Sequence, residues 1–108
     1  SESPDVVASY AGAMVEGLQG KPGARDFLSE RHVMVSVKHY LGDGGTRNGK
    51  DQGDTPGDEA TLRDVHAAGY FTAIRAGAQA VMASFNSIDG QKMHGRRDLM
   101  TDVLKERM

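Results

Sequence analysis

The chain has 108 residues, 38% hydrophobic and 26% charged, which bounds it to one domain or a part of one. Lys and Arg number 13 against 15 Asp and Glu, a net charge of −2 that does not support a nucleic-acid footprint. No apolar run approaches the ~18 residues of a membrane span, and the absence of Cys excludes disulfides and thiolate metal sites while leaving the compartment open.

The first segment reads as a helix. Ser3 suits the N-cap, Pro4 the first helical position, and Asp5 complements the positive end. Val6, Tyr10, Met14 and Leu18 recur every four residues, with Val7 and Ala11 beside them, and predict one packed stripe. Gly20 and the Lys21-Pro22-Gly23 turn close it. Arg31 to Tyr40 is short and β-branched, which predicts a strand buried on both faces. Leu41 to Asp54 is a Gly- and Asp-rich loop. Asp58 to Ala76 is a second helix packed through Leu62, Val65, Gly69 and Ala73. Ala78 to Asn86 is a second buried strand, and Ser87 to Gly95 a polar loop with an Asp89-Gly90 turn. Arg97 to Arg107 is a last helix.

The order helix-strand-helix-strand-helix implies an α/β fold with parallel strands and helical crossovers. Two strands cannot finish such a sheet, because open edges and uncovered flanks would remain. Neither an initiator Met nor a signal-peptide pattern opens the sequence, so a mature, trimmed or excised chain all stay open.

In α/β architectures, sites gather beyond the C-terminal strand ends. One end offers Lys38, His39 and Tyr40; the other offers Phe85, Asn86 and Ser87, then Lys92, Met93 and His94. Lys38 and His39 suit hydrogen bonding to hydroxyls or a carboxylate, or simply a solvated Lys and a loop-capping His. The Gly42–Thr46 run lacks the Gly-Lys-Ser/Thr ending of a phosphate loop. Asp43, Asp51, Asp54 and Asp58 do not fit the spacing of a calcium loop. The four His show no paired metal spacing, and His66 reads as half-buried packing. No metal and no cofactor are expected. Residues alone stop at part of an α/β enzyme.

A resemblance goes further. Lys38-His39-Tyr40-Leu41-Gly42-Asp43-Gly44-Gly45-Thr46 is similar to the Lys-His-Phe-x-Gly-Asp-Gly-Gly-Thr motif of glycoside hydrolase family 3, the β-glucosidase and exo-glucanase family. Ala11–Gly20, Asp51–Thr55, Val81–Ser87, Lys92–Gly95 and Leu99–Lys105 resemble its further segments in the same order. The resemblance implies that residues 1–108 are the middle of an N-terminal (β/α)₈ barrel of the TIM type, incomplete on its own. It implies retaining hydrolysis of terminal, non-reducing β-D-glucosyl or xylosyl residues. The family's nucleophilic Asp lies on the strand after the last helix, within Ser-Asp-Trp, and is expected beyond Met108; the acid/base Glu comes from a second domain. No catalytic residue is therefore expected among these residues, and no covalent catalysis by this chain alone.

Lys38 and His39 match residues that bind hydroxyls of the terminal sugar, and Phe85 matches a position often held by Tyr, so the wall stays and the hydroxyl is lost. Leu41 and Asp43 stand where the hexosaminidase branch has Pro and His, which favours the glucosidase or xylosidase branch. The implied partners are an oligosaccharide or β-glucoside, the remainder of the barrel and the second domain, with no nucleic acid and no membrane. A secreted or periplasmic location follows from the family. The competing reading is a non-catalytic carbohydrate-binding or scaffold module. Adjacent strand residues point to opposite faces. If Lys38 and His39 both grip one sugar, a strained or cis non-proline peptide is expected there.

Overall fold

The computed structural model describes residues 1–108. The chain divides into two compact units, Ser1–Val37 with Ala68–Val81, and Lys38–Ala67 with Met82–Met108.

In the first unit, α1 spans Pro4–Gln19. Ser3 caps it by accepting from the Val6 amide at 3.4 Å, and Gly20, at φ 80°, ends it. Helix α3 (Ala68–Arg75) packs against it. The contact face differs from the expected stripe. Val15 and Gln19 are buried, whereas Val6, Tyr10, Met14 and Leu18 are 41–56% exposed. Glycines decide the face, because they let the backbones come close. A Cβ on Gly12 would sit 3.4 Å from the Thr72 carbonyl, and one on Gly69 only 2.8 Å from Val7 Cγ1. Gln19 fixes the end of α1. Its amide donates to the Gly77 carbonyl at 2.8 Å and accepts from the Val35 and Gln79 amides at 2.8 and 3.3 Å.

Strand β1 is Ser36–Tyr40, shorter than predicted. The preceding residues bond to the end of α1 instead, Val33 N–H donating to the Leu18 carbonyl at 2.8 Å. Strand β3 is Ala80–Ala83 and pairs with β1. Ala80 donates to Val35 and Ser84 to Tyr40, so the pairings advance in the same direction along both strands. The expectation of strands buried on both faces fails. Lys38, His39 and Met82 are exposed, since a two-stranded sheet has no neighbours to cover its flanks. The Lys38–His39 peptide is cis, as is Tyr40–Leu41.

In the second unit, the two predicted loops contain a small sheet. Strand β2 (Asp54–Thr55) pairs in parallel with β4 (Ser87–Ile88), which pairs antiparallel with β5 (Gln91–Lys92). The Asp89-Gly90 turn is where the sequence puts it, with both residues at positive φ as a two-residue hairpin of this hand requires. The second predicted helix is interrupted. It opens as α2 (Glu59–Thr61), capped by Asp58, and continues as a π-helical segment, Leu62–His66. There Ala67 N–H reaches back five residues to the Leu62 carbonyl, so the apolar phase slips and Val65 faces solvent. The last predicted helix is π-helical over Asp98–Val103.

Candidate functional site

All candidate site residues belong to the unit built from Lys38–Ala67 and Met82–Met108. Lys38 lies near the end of β1, exposed, its side chain making no hydrogen bond or ion pair. His39 follows it, and its Nδ1 lies 3.0 Å from Asp43 Oδ2, with both side chains about two-fifths exposed. Phe85 follows β3 and is 66% exposed. Its ring lies 5.4 Å from that of His94, tilted by 33°. The structure thus gathers His39 with Asp43, and Phe85 with His94.

Four residues hold this arrangement, and for three of them, Ser84, Asn86 and Thr55, sequence reasoning did not assign the role. Ser84, almost fully buried, donates from Oγ to Asp43 Oδ1 at 3.3 Å. Asn86, fully buried, donates through Nδ2 to the Leu41 and Ser87 carbonyls, both at 3.1 Å, and to Thr55 Oγ1 at 2.9 Å. Thr55 in turn donates to the Gly42 carbonyl at 2.7 Å. The loop after β1 is therefore bolted to β2 and to the residue before β4, just ahead of Asp43. His66 supports it from below. A Cβ on Gly45 would lie 2.5 Å from the ring, so only glycine allows this approach, and burial lowers the imidazole pKa. The expected packing role of His66 is what the structure contains.

Four other carboxylates of this unit have structural partners. Asp54 accepts from the Ser87 hydroxyl at 2.6 Å and the Gly90 amide at 2.8 Å, and these bonds lower its pKa. Asp58 caps α2, Asp64 pairs with Arg63 and Asp98 with Arg96. No three His, Asp or Glu side chains gather as a metal site. What the first strand end presents is chemically narrow: an unengaged ammonium next to an imidazole held by a carboxylate, a set suited to polar, hydroxylated ligands.

A family model described as the glycosyl hydrolase family 3 N-terminal domain matches residues 1–108. The chain belongs to glycosyl hydrolase family 3. Among relatives, a β-xylosidase of Formosa agariphila is 32% identical over 108 residues, covering 99% of this chain and 15% of the relative. A periplasmic β-glucosidase of Salmonella typhimurium is 31% identical, covering 86% of this chain and 12% of the relative. Among solved structures, the exo-1,3/1,4-β-glucanase ExoP of a Pseudoalteromonas species superposes with a TM-score of 0.94 at 56% identity. The match covers 98% of this chain and 13% of that one. The chain spans under a sixth of the length of these family 3 relatives.

Proposed function

We propose that this chain is the middle portion of a (β/α)₈ barrel from a retaining family 3 β-glycosidase. In this reading it supplies sugar-holding residues, and the nucleophile and acid/base are not among its residues. The substrate is an oligosaccharide or simple glycoside with a terminal, non-reducing β-D-glucosyl or xylosyl residue. Lys38 and His39 bind its hydroxyls and Phe85 forms an apolar wall. A secreted or periplasmic location accompanies this reading, in line with the periplasmic relative.

The carrying observation is the end of β1, where an unpartnered Lys38 adjoins a His39 braced by Asp43. Braced polar groups on a rigid strand end lose little freedom when they take up a ligand hydroxyl.

The test uses the full-length protein that carries this sequence, with p-nitrophenyl β-glucoside and β-xyloside. Turnover of at least one is expected, and Lys38→Ala should lower kcat/KM by about tenfold or more. The isolated 108 residues should turn over neither. A full-length protein that binds glucose without cleaving either glycoside would instead mark a carbohydrate-binding module.

A further inference from the structure

The hydrogen bonds around His39 run in one direction only. The Asn86 backbone N–H can only donate, and it donates to Ser84 Oγ at 3.3 Å. That occupies an acceptor site of the hydroxyl, whose single proton is then directed to Asp43 Oδ1 at 3.3 Å. The carboxylate can only accept, so the 3.0 Å contact of its other oxygen requires a proton on His39 Nδ1. Buried Ser84 and Asn86 anchor the chain of bonds, and Asn86 is itself held by three further bonds. In a neutral imidazole, a proton on Nδ1 leaves Nε2 bare. Nothing in the chain occupies Nε2.

We propose that Asp43 and Ser84 are positioning residues that fix the neutral His39 in the Nδ1–H tautomer, which makes Nε2 an obligate acceptor and selects ligand groups able to donate. The inference deepens the proposed function, since it rests on Lys38 and His39 facing a sugar. The two neighbours are then complementary. Lys38 carries three donors and no acceptor; Nε2 of the neutral His39 is an acceptor and not a donor. One hydroxyl can satisfy both, accepting from Lys38 and donating to His39. Fluorine, a methyl ether or a carboxylate can meet Lys38 but brings no proton for Nε2.

Two measurements on the full-length protein test this. In ¹⁵N spectra of histidine-labelled enzyme, with His39→Gln identifying the signals, neutral His39 should show a protonated Nδ1 and a bare Nε2. Asp43→Ala should move the proton wholly or partly to Nε2, and Ser84→Ala should do so to a smaller extent. A wild-type His39 protonated at Nε2 overturns the proposal. Competitive inhibition by glucose and by its monodeoxy and monodeoxyfluoro analogues reads the selectivity. At the ring position facing His39, the fluoro analogue should bind as poorly as the deoxy analogue, both about tenfold or more weaker than glucose. In Asp43→Ala the gap between the fluoro analogue and glucose should narrow. Fluoro analogues that match glucose at every position overturn the selectivity. Failure of glucose itself to bind overturns the sugar reading, and the nitrogen spectrum then decides the tautomer independently.

Discussion

Tyr40 shows how one side chain departs from a motif and acquires a structural task. The related motif has Phe at this place; here the hydroxyl donates to the Leu99 carbonyl at 3.2 Å from a fully buried ring. Tyr40→Phe should cost about 1 kcal/mol by chemical denaturation, since the hydroxyl's bond to the Leu99 carbonyl is lost while the ring volume stays. Burial first, and then the Asp98 charge, push the phenol from 10.0 up to about 12. The folded state therefore holds this proton more tightly than the unfolded state. The associated stability is complete below pH 10 and is lost as pH rises through about 12. The Phe variant should lack that alkaline decline in a denaturation series run at several pH values. At this scale the sequence pointed to Lys38, His39 and Phe85 through their motif. The anchoring roles of Ser84, Asn86 and Thr55 escaped notice because they lie in which groups these side chains reach across the fold, and ordinary polar residues carry no local mark of that.

Among the elements, α1 and α3 show that period alone does not choose a face. The four-residue recurrence of Val6, Tyr10, Met14 and Leu18 correctly marks a helix, yet the contact forms where Gly12 and Gly69 permit close approach. Gly69→Ala should destabilise the chain by about 1–3 kcal/mol, because its Cβ meets Val7. Val7→Ala in the same chain should recover part of that loss, and a double-mutant cycle followed by thermal unfolding measures the coupling. The alternation of helix and strand, the N-cap at Ser3 and the Asp89-Gly90 turn were legible because each has a short-range signature. The two-residue strands β2 and β4 were not, since their pairing joins distant segments and too few residues alternate to show a period. The π-helical register at Leu62–His66 hid for a similar reason: one surplus residue changes the phase without changing the composition.

For the whole molecule, the apolar stripe of α1 is only half covered, with Met14 56% and Val6 50% exposed. Full burial of such a side chain is worth about 1.5–3 kcal/mol, so covering the half that remains bare gains roughly 1 kcal/mol each. Several such gains are comparable with the ~5–15 kcal/mol margin of a small domain. The isolated 108 residues should therefore associate as concentration rises in sedimentation velocity experiments. Tyr10→Lys with Met14→Glu should shift the distribution toward monomer. A lone chain that stays monomeric with a sharp unfolding transition would show that the stripe needs no partner.

The Gln19 side chain leaves the first unit with a shared point of failure. Its one carboxamide oxygen receives the amides of both Val35 and Gln79, while its nitrogen binds Gly77. The entrances to β1 and β3, far apart along the polypeptide, thus close on the same atom. If that rotamer swings away, both backbone protons meet water together, so their solvent exchange should follow a common clock.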